Sequence, residues 1–432
     1  MSKKEIGQQT GQKITGDKFT FCKAPFASIY VRPRVKIDPN DLPQTEASFC
    51  CVQSENYVLD ANQTIDDFWK SNWAQEHRRQ FLNKEWPSSC SECQWRENNG
   101  VNSDIDSHDI IPIMQYDILS GNEIGKPKYV DYRPDNLCNL MCTMCSPANS
   151  NLIEDMWREL PLNPEWHRKS KRNAEGEVTV YNETLVTKEL VGEHTIQLKV
   201  LGGEPTINKK VHSVFEYCIE KNYAKDIDLK ITTNFTNMNK TYKMFDEFKT
   251  CKINASIDAT GPTYDYVRRP AKWSAVRKHL LGFGERYKDS SPRMRWGINL
   301  VWQLANCFTA KEWLPELFDL FYVNENLKNL HTDNTFISMI NCDGTGITLE
   351  AVPESMKHYI RDDLNGLLKD WKHIPGAKKN IEALLKYTER AKFTWEHHRA
   401  FKRKFTLMDQ YKKTDMFELS PRFKELYDYK VR

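Results

Sequence analysis

From about residue 127 onward, short runs rich in β-branched and aromatic residues alternate with longer stretches of helical periodicity. The short runs are KYVDYRP from Lys128, QLKVLGG from Gln197, IDLKITTN from Ile227, KINASID from Lys252, RWGINLVWQ from Arg295 and TFISMIN from Thr335. Between them fall NLIEDMWREL, VHSVFEYCIEKN, KTYKMFDEFKT, WSAVRKHLLGFGERY and KEWLPELFDLFYV, each read as a helix. Strands alternating with helices at this spacing predict an α/β fold with a parallel sheet and right-handed crossovers. Six strand runs, rather than eight, predict a partial, TIM-like (β/α)6 barrel.

The flanks read differently. Residues 1–18 are polar, and residues 19–103 hold few regular strands but five cysteines, Cys22, Cys50, Cys51, Cys90 and Cys93. Within that region FASIYV, from Phe26, predicts a short strand. TIDDFWKSNWAQEHRRQFLN predicts a helix capped by Thr64, with two acids in its first turn. Residues 104–126 form a polar connection to the barrel, which spans 127–345 and carries an insertion at 160–194. In that insertion EVTVYNETLV predicts a hairpin, and 346–432 is a helical C-terminal region.

Composition narrows the class. A chain of 432 residues with 39% hydrophobic and 28% charged residues belongs among globular proteins, with room for two or three domains. The net charge of +3 is too small to argue for nucleic acid or an anionic membrane. RAKFTWEHHRAFKRKF is basic and aromatic, yet with the charge nearly balanced a solvated helix face is the better reading than an RNA contact. His397 and His398 are adjacent, so on a helix they face different ways. The N-terminal residues lack the apolar run of a signal peptide, and no stretch is long enough to span a bilayer. The expectation is a cytoplasmic protein, whose twelve cysteines are ligands or free thiols rather than disulfides. Cys218, Cys251, Cys307 and Cys342 are expected in the core, as are Trp296 and Trp302.

The chemistry concentrates at strand ends, where parallel barrels build active sites. CNLMCTMC, after the first strand, places Cys138, Cys142 and Cys145 in a CxxxCxxC spacing. Three thiolates fall short of the four ligands of a structural zinc, but they hold three irons of a [4Fe–4S] cluster and leave the fourth open. GGEP (Gly202, Gly203, Glu204, Pro205) follows the second strand, Thr233 and Asn234 the third, and Ser256 and Asp258 the fourth. Paired glycines let a ligand approach backbone carbonyls closely, and Glu204 adds a carboxylate, so this turn suits an ammonium group. Thr233 and Asn234 suit a ribose, Ser256 and Asp258 further polar contacts, and Arg268 a carboxylate gripped by both arms of its fork. Asn299 and Gln303 share a face of the fifth strand and are weaker candidates. Ammonium, carboxylate, ribose and an open iron together describe S-adenosylmethionine (SAM) chelating a cluster.

At these residues the chain resembles the radical SAM superfamily. CNLMCTMC is similar to its cysteine loop, VLGGEP to its SAM-amino motif, and TTNFT and SIDATGPTYDYVRRP to its ribose and later SAM-contact motifs. Met144 departs from the pattern, since many members carry an aromatic before the last cysteine. The N-terminal FCKAPFASIYVRPR, ASFCC, DDFWKSNW and RRQFLNKEWPSSCSECQWRENNG resemble the auxiliary-cluster twitch domain, which in most relatives follows the barrel (a SPASM-like arrangement) and here precedes it. ELSPRFKELYDY resembles the tail of that N-terminal-twitch group. The resemblance implies a second, auxiliary [4Fe–4S] cluster on Cys22, Cys50, Cys90 and Cys93. Thr45 stands where the family pattern has a glycine, so Cys50 and Cys51 both remain candidates, with Cys50 preferred. It further implies an oxidoreductase-like enzyme that cleaves SAM to a 5′-deoxyadenosyl radical and takes hydrogen from a peptide, sugar or small metabolite. An electron donor such as flavodoxin or ferredoxin would serve it, with the auxiliary cluster accepting an electron. The rival reading is a non-catalytic iron–sulfur or zinc protein that binds nucleic acid through its basic C-terminal helices; four thiolates with a CxxC suit zinc equally well.

Overall fold

The computed structural model describes residues 19–33, 45–60, 62–98, 103, 105, 125–160, 188–331 and 346–430. Eight strands among them form one sheet: β1 Ser28–Pro33, β2 Thr45–Ser48, β3 Tyr57–Leu59, β4 Tyr129–Tyr132, β5 Gln197–Val200, β6 Asp228–Thr233, β7 Thr250–Ser256 and β8 Met294–Asn299. Their order is β3-β2-β1-β4-β5-β6-β7-β8. From β1 through β4 to β8 every neighbouring pair is parallel, and the pairings β1–β2 and β2–β3 are antiparallel.

The pattern of burial explains the sheet. Leu198 and Val200, Leu229 and Ile231, and Cys251, Ile253 and Ala255 are buried and belong to the main core, while their alternates are half-buried and polar. A two-residue period separates a helix-covered face from an inner face. The covering helices include α5 Lys209–Glu220, α6 Gly261–Val267, α7 Trp273–Tyr287 and α8 Ala310–Phe318. Trp296 and Trp302 are core, and so are Cys218, Cys251 and Cys307.

The N-terminal region is joined to the barrel through the sheet. β1 pairs in parallel with β4, so residues 28–31 extend the barrel sheet by one strand. The stretch expected to be one helix from Thr64 is two, α1 Ile65–Lys70 and α2 Asn72–Leu82. Thr64 caps the first in a reciprocal capping box with Asp67. Ser71, extended at ψ 155°, ends the first and caps the second through Ala74 N. α3, Ser91–Asn98, completes this part. The helix expected over 240–250 is only the turn Tyr242–Phe245.

The expected strand at 335–341, the hairpin at 177–186 and Cys342 lie outside the described residues, as does most of the 104–126 connection. Trp296 of β8 makes one parallel bridge to His331. α4, Asn151–Glu159, follows the cysteine loop. The C-terminal part is helical as expected, in α9 Lys357–Trp371, α10 Pro375–Arg390, α11 Trp395–Lys412 and α12 Pro421–Asp428. No described helix is long and apolar enough to cross a membrane.

Candidate active site at the strand ends

The cysteine loop is held from both ends. Ser150 caps α4 by accepting from Ile153 N, and its hydroxyl donates to Leu140 O at 2.7 Å. Asn151 accepts from Cys138 N at 2.8 Å, and Asn136 donates to Pro147 O and to Glu154. These contacts close the loop before any ligand is considered. Cys142 is buried, while Cys138 and Cys145 are half-buried.

The GGEP turn is seated on this loop. Gly202 and Gly203 have φ of +87° and +52°, a region that favours glycine. A Cβ on Gly203 would lie 2.1 Å from Leu137 O, and Glu204 N donates to that same oxygen at 2.7 Å. Only glycine permits this approach, which sets the turn against the backbone immediately before Cys138.

Glu204 is buried, and its carboxylate turns inward. Oε1 accepts from Thr206 N and from the hydroxyls of Thr206 and Thr233, and Oε2 accepts from Asn234 N at 2.6 Å. Burial raises its pKa against the pull of these donors. The carboxylate thus clamps the ends of β5 and β6 together, while the carbonyls of Glu204 and Pro205 accept from Ile207 N and Asn208 N. Pro205 is buried in the turn that Glu204 caps. Asn234 Nδ2 donates to Asn139 Oδ1, and Asn139 Nδ2 donates to Thr236, which ties the cysteine loop to the end of β6.

On the far side the loop meets α6 and β8. Met141 N and Thr143 N donate to Arg269 O and Val267 O, and the Thr143 hydroxyl donates to Gln303 Oε1 at 3.0 Å. Arg268 is buried, ion-paired through Nε to Asp258 at 2.7 Å, with Nη1 3.8 Å from Cys142 Sγ. Asp258 also accepts from Val301 N at 2.9 Å. Against burial, Asp258 and Cys142 hold the guanidinium in its charged form. Its fork is therefore aimed at Cys142 and a carboxylate of this chain. Ser256 ends β7 half-exposed, opposite Asn299, while Gln303 lies beyond β8 as the cap of the next turn rather than on the strand.

Among the described residues, Tyr264 Oη, Gln303 Nε2 and Lys412 Nζ are buried donors near Cys142 with no hydrogen-bond partner. Lys412 comes from the last turn of α11, which reaches the cysteine loop: Met408 packs with Ile153 and Met156, and Met141, Cys145 and Tyr411 join that cluster. Burial draws Lys412 down to about 8, against the pull of Cys142. Sequence reasoning missed Lys412 and Tyr264, since nothing local marks one lysine or tyrosine among many. The thiols show the complementary strain: burial and then Cys142 push Cys138 up to about 12, and burial raises Cys142 and Cys145. Buried thiols that resist ionisation beside orphaned donors fit an electropositive, thiolate-binding group that also offers acceptors.

The N-terminal cysteines gather as a second group. Cys50 follows β2, Cys90 ends a 3-10 turn, and Cys93 lies in the first turn of α3. Burial raises Cys50, and Cys22, Cys51 and Cys90 push it further; burial lifts Cys90 to about 12, with Cys93 adding to it. Gln53 holds the two loops together, accepting from Phe49 N and donating to Ser89. Cys51 is exposed and acts on Tyr30, Arg133 and Lys199 of the inner sheet face. Among the described residues, no three His, Cys, Asp or Glu side chains converge closely enough for a single metal ion. Thiolates that share a multi-iron cluster do not converge on one point, because each reaches a different iron.

The basic stretch of α11 divides by face. Phe401, Phe405 and His398 are buried, His398 against Ala351 O, while His397 pairs with Thr394, so the two histidines do not form a metal pair.

No known family profile matches the sequence, and no curated protein is significantly similar. Among solved structures, Streptococcus suis SuiB bound to S-adenosylmethionine aligns at 15% identity and a TM-score of 0.32, over 73% of this chain and 65% of that one. SuiB bound to the precursor peptide SuiA aligns at 13% identity and 0.32, over 82% and 71%. The protein anSMEcpe with bound AdoMet and Cp18Cys peptide aligns at 15% and 0.33, over 56% and 60%. The chain thus spans just under two thirds of SuiB in its SAM-bound form. A likeness this distant carries no argument about activity, which must come from the residues.

Proposed function

We propose that this chain is a radical SAM enzyme with an auxiliary cluster. Cys138, Cys142 and Cys145 would hold the SAM-binding [4Fe–4S] cluster. Cys22, Cys50, Cys90 and Cys93 would hold the second, Cys50 being preferred over Cys51 because it neighbours Cys22 and Cys90 while Cys51 is exposed. The observation that carries the reading is the contact of Gly203 with Leu137 O, which brings an ammonium-accepting turn against a three-thiol loop.

When bound, the cluster and SAM would supply reductive cleavage to a 5′-deoxyadenosyl radical, which abstracts hydrogen from a peptide, sugar or small metabolite. The chain's own residues prepare the place. The carbonyls of Gly202 and Gly203 would accept the ammonium, Glu204 locks that turn to β6, and Ser256 with the strand end at Asn234 would hold the ribose. Arg268 and Lys412 set positive charge beside the thiolates, and Tyr264 and Gln303 offer donors to acceptors of the bound group. The auxiliary cluster, closed by four thiolates, would take an electron from the substrate, and a flavodoxin or ferredoxin would supply one to the first.

Anaerobic reconstitution followed by iron and sulfide analysis tests this. About eight irons, four per cluster, are expected, falling to about four in a Cys90→Ala/Cys93→Ala variant. In that variant the low-temperature EPR signal of the reduced cluster should still change when SAM is added. Bound zinc, or a signal indifferent to SAM, would refute the proposal.

A further inference from the structure

The inner face of the sheet carries a row of charge. In register across the parallel strands, Tyr30 lies opposite Asp131, Asp131 opposite Lys199, Lys199 opposite Lys230, Lys230 opposite Lys252 and Lys252 opposite Arg295. Neighbouring strands stand about 4.8 Å apart. Four cations and one carboxylate therefore occupy consecutive positions on one line. Their alternates, Leu198, Leu229 and Cys251, are buried on the helix-covered face, so the charged side chains share the opposite face with Asn234 and Ser256.

Within the row itself Asp131 is the one carboxylate, and Asp228 stands two residues before Lys230 on the same strand face. Asp131 is shared by Lys199 at 2.9 Å and Arg133 at 3.4 Å. Lys230 has no carboxylate within salt-bridge distance among the described residues; its ammonium lies 5.9 Å from the Tyr129 ring. Lys230 is half-buried between Lys199 and Lys252, and like charges directly opposite on a sheet repel. Arg295, at the β8 end of the row, is exposed. Lys230 and Lys252 precede Asn234 and Ser256 by four residues each, roughly 13 Å along a strand.

We propose that this row binds the anionic end of the substrate, a phosphate or carboxylate group held about 13 Å from the SAM-facing strand ends. Calling the ligand a substrate rests on the radical SAM reading; the anion site itself does not. Asp131 orients Lys199, and Lys230 with Lys252 forms the central pair of donors.

Isothermal titration of the purified full chain with pyrophosphate and with citrate, at fixed ionic strength, tests the site. The wild type should bind one equivalent of at least one probe. Lys230→Met should weaken that binding at least tenfold, and Lys230→Arg should restore most of it. Lys424→Met, which removes an exposed lysine paired with Asp428, should bind as the wild type does. Preference for pyrophosphate assigns a phosphorylated substrate, and preference for citrate a polycarboxylate one. No binding by the wild type, or equal binding by Lys230→Met with unchanged melting, overturns the proposal. Nucleoside release from SAM is measured separately on the wild type: anion binding without it leaves the site standing and sinks the radical SAM reading, while the converse sinks only the site.

Discussion

Replacing Gly203 with alanine should separate the strain of a left-handed backbone from the loss of the contact between turn and cysteine loop. The added Cβ would stand 2.1 Å from Leu137 O and 2.7 Å from Leu137 C, both backbone atoms that cannot rotate away. A non-glycine residue in this backbone region costs about 1–2 kcal/mol. Forcing the loop back adds about 1–3 kcal/mol of overpacking. Losing the Glu204 N–Leu137 O bond adds about 1 kcal/mol. Gly261 is the matched control, with φ +55° and nothing within 4 Å of an added Cβ. Gly261→Ala should thus cost only the backbone strain, about 1–2 kcal/mol. Urea denaturation of the apo-protein reads both, through a lower midpoint at constant m. The expected gap is about 2–4 kcal/mol, the sum of the overpacking and hydrogen-bond costs, with loss of SAM binding in the Gly203 variant alone. Equal losses in the two variants would refute the close contact.

The remaining predictions follow from single groups. Arg268→Met leaves Asp258 buried without its cation, which should cost about 3–5 kcal/mol in urea denaturation; Arg268→Lys should recover part of it. Lys412→Met removes a charge beside the thiolates, and at an assumed ~10 Å and effective dielectric near 20 that charge is worth about 1.7 kcal/mol. On a one-electron scale this lowers the midpoint potential of the first cluster by roughly 70 mV, read by EPR-monitored redox titration. Burial foremost, then Lys252 and Lys199, draw Lys230 down to about 8, with Asp228 opposing. Anion binding should therefore be full below that pH and fade above it, and the fade should be absent in Lys230→Met. Without an anion, stability should rise from about pH 8 toward the ~10.4 of a free lysine, because the unfolded chain keeps a proton that the folded one has released.

Much of the parallel sheet was legible because its signal is local. The runs from Lys128, Gln197, Ile227, Lys252 and Arg295 coincide with β4 to β8 to within a few residues, since alternation of buried and polar positions is written in each strand. Thr64 as a cap was equally readable. Ser71 shows where periodicity stops informing: the apolar spacing runs through it, but its own cap bonds split the helix. The parallel pairing of β1 with β4 joins positions about a hundred residues apart, and no short-range pattern carries it. At the site, residue types drew attention to the strand ends but not to the partners each side chain takes there. Glu204 and Arg268 read as ligand contacts, and each is engaged by this chain's own groups. Lys412 was illegible because its burial is a tertiary fact, set by where α11 comes to rest.

The central claim is that the three-cysteine loop and the GGEP turn form one reaction site. Its most direct test is the product of the reduced, reconstituted protein incubated anaerobically with SAM and analysed by mass spectrometry. The account predicts 5′-deoxyadenosine and methionine in equal amounts, lost when Cys142 is replaced by alanine. A fully loaded protein with its reduced cluster visible by EPR, yet leaving SAM intact, would contradict it.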